Sequence, residues 1–163
     1  MIDRFRHRAL RNSSCLTAVV ITLSVGWGRP AFCALGRTAD SVASDAAQMK
    51  AVLRVTPASE YSVHELRTST NVVVREYISL SGKVFGVAWE GPFIPDMKLL
   101  LGDYFEHYWR SAKAQRQSRV GRFPLNIRDS VLVMQTSGHM GAYSGRAYDP
   151  RLLPQGIYGD AIQ

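Results

Sequence analysis

The feature that most constrains this chain is its first 33 residues, MIDRFRHRALRNSSCLTAVVITLSVGWGRPAFC, because their removal decides what is left to fold. Arg4, Arg6, Arg8 and Arg11 make a basic start, Cys15 to Trp27 is an uncharged and mostly apolar run, and Gly28-Arg29-Pro30 breaks it. Such a run suits the hydrophobic region of a secretory signal and is shorter than the ~20 apolar residues of a membrane-spanning helix. Ala31 and Cys33 are the small residues expected at −3 and −1 of a cut before Ala34. The alternative is an uncleaved amphipathic anchor. Phe32 stands where a lipoprotein requires a small residue ahead of its acceptor, which argues against Cys33 as a lipid anchor. The expectation is a cleavable signal peptide over 1–33, a single domain over 34–163, no integral membrane span in the mature chain, and a periplasmic or secreted destination.

Cleavage removes Cys15 and Cys33, the two cysteines of the chain. The mature fold must then hold together without disulfides, and cysteine nucleophiles and Cys-ligated zinc disappear with them. The leader also carries five arginines and one acid. Of the chain's 20 basic and 13 acidic residues, 15 and 12 therefore remain, a net charge of +3. That is an ordinary solvated surface without the concentrated basic face of a nucleic-acid binder. About 130 residues are enough for one domain around one core.

Periodicity supplies the order of elements. Asp40 can cap a helix over about Ser41–Leu53, with Val42, Ala46, Met49 and Leu53 at helical spacing, ended by Pro57. Residues 60–68, 71–80 and 82–91 read as a meander of three strands, the last with Phe85, Val87 and Trp89 on one face and Ser81-Gly82 as the turn before it. After Pro92 and Pro95, one helix is expected from Asp96 to about Ala114, its apolar face built from Met97, Leu100, Leu101, Tyr104, Phe105, Tyr108, Trp109 and Ala112. The arginine run over 116–128 reads as a solvated loop. Two further strands over 129–136 and 141–148, joined by residues 137–140, precede a tail that packs through Leu152, Leu153 and Ile157. The predicted class is α+β, an antiparallel β-sheet with two helices packed on one face, in an order that reads as a tandem αβββ arrangement.

Tests for chemistry exclude more than they select. The strained serine elbow needs G-x-S-x-G, but Gly141-Ala142-Tyr143-Ser144-Gly145 places its serine one residue late and inside a strand. His64, His107 and His139 show no HExxH and no i, i+4 pair, so no metal is expected. No glycine-rich phosphate loop leads into a helix, and no cofactor is expected. Glu76 and Glu90 are candidates for paired carboxylates, with nothing in the pattern to select them.

Three blocks, VREYISLSGKVFGVAWEGP (74–92), PDMKLLLGDYF (95–105) and SGHMGAYSGRAYDPRLLP (137–154), resemble a proteobacterial domain-of-unknown-function family of small exported proteins, typical of burkholderia-like bacteria. The resemblance covers most of the mature chain and implies a bacterial exported protein. The family has no established activity, so it carries no catalytic residues across. Two departures stand out: Cys33 replaces the usual −1 alanine, and Gly141 replaces an arginine that commonly follows the His-Met pair.

The first expectation is therefore a non-enzymatic binding or interaction module, with an envelope or secreted protein as its partner and no nucleic acid. The alternative is a small hydrolase or small-ligand-binding protein whose site gathers His139, Tyr143, Arg146 and Trp89.

Overall fold

The computed structural model describes residues 35–117 and 124–163, and both the expected leader and the centre of the arginine run lie outside them. The chain forms α1 (Asp40–Gln48), β1 (Val52–Pro57), β2 (Tyr61–Arg67), β3 (Val73–Ser79), β4 (Val84–Gly91), α2 (Met97–Leu101), α3 (Phe105–Gln117), β5 (Asn126–Arg128), β6 (Val133–His139) and β7 (Ala142–Tyr148). All seven strands join one antiparallel sheet in the order β1-β2-β3-β4-β7-β6-β5. The class is α+β, as expected. β4 and β7 meet at its centre, although the whole α2–α3 segment separates them in sequence.

Five local expectations change. The first helix ends at Gln48 instead of about Leu53, and Val52–Pro57 is a strand whose first two residues the helical spacing had claimed. Its β-branched content favours the sheet, and Pro57 at its last position on an edge strand costs no ladder bond. The long helix expected over 96–114 is broken at Gly102, whose φ of 50° and ψ of −117° lie outside helical space and divide α2 from α3. Asp96 does cap α2, its carboxylate accepting from the backbone N–H of Lys98 (2.8 Å) and Leu99 (3.2 Å). Residues 129–132 are a turn instead of the start of a strand, because Asp129 Oδ1 accepts from the N–H of Val131 and Leu132 and bends the chain between β5 and β6. The final hairpin turns at Met140-Gly141, so residues 137–139 belong to β6.

The fifth change alters a face. Tyr77 pairs with Gly86 and Ile78 with Val84, so Phe85 is an extra residue in β4 and the alternation slips by one. Phe85 then shares a buried cluster with Tyr77, Ala88 and Ile162, away from Val87 and Trp89. Val84, Val87 and Trp89 belong to the larger cluster, with Val42 and Ala46 of α1, Met97, Leu100 and Leu101 of α2, and Ala112 of α3. Leu152, Leu153 and Ile157 of the tail pack on the smaller cluster, as their apolar character predicted.

Candidate functional site

The site begins with small residues in the middle of the sheet. On the strand face carrying the larger cluster, β7 offers Gly145 and Ala147, flanked across the ladder by Trp89 and Val87 of β4 and by Thr136 and Met134 of β6. Two small side chains between rows of large ones leave a depression. Tyr143, two residues before Gly145, stands on the same face and closes one end. Met97 of α2 and Tyr108 and Arg116 of α3 form the opposite wall, with Ile94 and Leu125 completing a cavity of about 530 Å³. That volume lies within the ~300–1,000 Å³ of small-molecule sites.

The walls are firmly held. Thr136 N–H donates to the Leu125 carbonyl at 2.9 Å, and Thr136 Oγ1 accepts from Leu125 N–H at 2.9 Å, fixing the strand that follows the basic loop. Gln115 binds the N–H and C=O of Asn126 through its side-chain amide, capping the short β5 edge from α3. His107 Nε2 lies 2.7 Å from Asp129 Oδ2, a second tie between α3 and the sheet. Burial acts to raise Asp129, but its bonds to His107 and to the N–H groups of Leu132 and Val131 outweigh it and hold the carboxyl below its ordinary value. The sequence reading attached no role to any of these residues.

Of the four residues proposed for one site, the structure brings two together. Trp89, 3% exposed, and Tyr143, half-buried, both line the cavity. Arg146 projects from the other face of β7. Its guanidinium donates twice to Gln135 Oε1 (2.9 and 2.7 Å) and to the carbonyls of Gly159 (3.0 Å) and Ile162 (3.2 Å), which makes it a strut for the tail. His139 is exposed at the hairpin tip, its Nδ1 3.0 Å from the Met140 carbonyl. The cavity is thus lined by two of the four, while Trp89 and Arg146 together line a second depression with Gln135 and Gln163.

The carboxylate candidates separate as well. Glu76 faces Val87 and His64 on the core side and is fully buried, whereas Glu90 shares the other face with Arg75, which donates to it at 2.7 Å. Two acids on opposite faces of a sheet cannot flank one bond. Among the described residues, no group of three His, Cys, Asp or Glu side chains is placed to hold a metal, and no helix is long and apolar enough to cross a membrane.

The described cavity lining contains six apolar or aromatic side chains besides Tyr143, together with Thr136, Ser137, Ser144 and one cation, Arg116. It includes no carboxylate, imidazole or thiol. The arrangement can hold and orient an apolar body, and the lining supplies no general base near the hydroxyls. A family model described as a protein of unknown function, DUF2844, matches residues 31–162. No curated protein and no solved structure matches the chain.

Proposed function

The chain belongs to the DUF2844 family of proteins of unknown function, and from that premise we propose that it is an exported, non-enzymatic binding module whose ligand enters the cavity beside Trp89. The observation that carries this reading is the composition of the cavity: aromatic and aliphatic walls on two sides, set between α3 and the centre of the sheet. The helices serve as a cover over one face of the sheet, and the tail braces the other. Export rests on the basic, apolar and small-residue pattern of residues 1–33, with cleavage between Cys33 and Ala34 and a periplasmic or secreted destination. The bacterial origin and the envelope or secreted partner belong to the same proposal. Hydrolysis is the weaker alternative, since His139 and Arg146 lie away from the cavity and the lining supplies no base.

The test is native mass spectrometry on protein recovered from the periplasm of a Gram-negative host expressing the full chain. The expected result is a mass beginning at Ala34 with a small molecule retained. A cytoplasmic, uncleaved product overturns export, and loss of any retained or added ligand from the folded protein overturns the binding role.

A further inference from the structure

We propose, resting on the cavity reading above, that the ligand is an anionic amphiphile: an apolar chain or ring held among Trp89, Met97, Leu125 and Met134, with one carboxylate-type head met by Arg116. The argument is one of matched chemistry. Apolar walls of this extent reward burial of a hydrocarbon body, at roughly 25 cal/mol per Å². Arg116 is the only charged residue in the described lining, so a cationic ligand meets like charge and no counter-ion.

Arg116 is also placed differently from the engaged arginines of the chain. Arg75 pairs with Glu65 and Glu90, Arg151 with Asp149, and Arg146 with Gln135 and two tail carbonyls. Arg116 has no ion pair among the described residues, and its side chain is exposed at the mouth of the cavity. An anionic head there keeps part of its hydration and avoids the cost of a buried charge. A guanidinium presents a planar pair of donors that fits a carboxylate in two-point fashion. One such cation suits a head of single charge better than a polyphosphate, which calls for several cations or a cradle of backbone N–H groups.

Isothermal titration calorimetry with three probes of one chain length separates the possibilities. Octanoate is expected to bind about tenfold or more tightly than 1-octanol, as one charge-assisted pair allows, and octyltrimethylammonium to give no binding heat. Arg116→Gln, on the exposed side of α3, should bring octanoate down to the octanol value, and Arg116→Lys should restore much of the preference. Equal binding of octanoate and octanol, or binding of the cation, overturns the ligand class while leaving the cavity reading intact. Silence from all three probes overturns the cavity reading and this proposal with it.

Discussion

Trp89 crosses the space that a side chain at Gly145 would occupy: a Cβ there would stand 2.7 Å from Cε2 and 2.9 Å from Cη2 of the indole. The two residues are direct partners across the β4–β7 ladder, so the absence of a side chain at Gly145 sets the indole's position and the cavity's floor. Gly145→Ala must displace the ring. The expected cost is ~1–3 kcal/mol, read by urea unfolding, together with a shift in tryptophan emission. Unchanged stability and emission would mean that the ring does not rest there.

Glu76 should make the fold weaken as pH rises. Burial raises its carboxyl to about 8, and neither oxygen has a hydrogen-bond partner. The folded protein keeps this proton where the unfolded chain loses it near pH 4.5. Its contribution is therefore full below that pH and falls by up to ~1.4 kcal/mol per pH unit until about pH 8. His64, its cross-strand partner, is shifted down by burial and acts in the opposite sense, favouring the folded state as the imidazole deprotonates. Comparing wild type with Glu76→Gln isolates the glutamate: the variant's relative stability should climb steadily from pH 5 to pH 8. A difference that does not vary with pH contradicts this account.

The acid side of the stability profile depends on Asp149. This carboxylate, 1% exposed, accepts from the Tyr104 hydroxyl at 2.5 Å and from Arg151 Nε and Nη2 at 2.9 and 2.7 Å. Burial acts to raise its pKa, but the bonds from Arg151 and Tyr104 outweigh it and hold the group below its usual value. Burial and the adjacent carboxylate push Tyr104 up to about 12. The stabilisation is present above pH 3.8, the ordinary carboxyl value, and is lost as pH falls through the lower folded value. Asp149→Ala should cost ~2–4 kcal/mol at neutral pH, and less in acid, by chemical denaturation.

Arg146 is predicted to stabilise the tail and to leave ligand affinity alone. Arg146→Met strands the carbonyls of Gly159 and Ile162 and should cost ~1–3 kcal/mol, with faster amide exchange over 159–163. His139→Ala, at an exposed tip, should change stability by less than ~0.5 kcal/mol. If Arg146→Met abolishes binding while the tail stays protected, the strut assignment is wrong.

The sequence displayed its local patterns well. The strands β2 to β4, the cap at Asp96, the final hairpin and the apolar tail are legible because each depends on neighbours a few residues away. β1 is not, since Val52 and Leu53 continue the helical spacing of α1, and only the β2 pairing draws them into the sheet. The break at Gly102 was hidden by an apolar face that runs unbroken from Met97 to Tyr108. The bulge at Phe85 and the true role of Arg146 depend on partners far along the chain, the tail carbonyls among them. Trp89 and Tyr143 were named from the sequence, but their common cavity follows from the β4–β7 pairing, which no local pattern announces.

The most direct test of the binding account is methyl NMR on methionine-labelled protein titrated with octanoate. Met97 and Met134 line the cavity, while Met140 is 90% exposed at the hairpin tip and serves as an internal control. The account predicts saturable shifts at Met97 and Met134 with Met140 unmoved. Shifts confined to Met140, or no saturable shift at either cavity methyl, would contradict it.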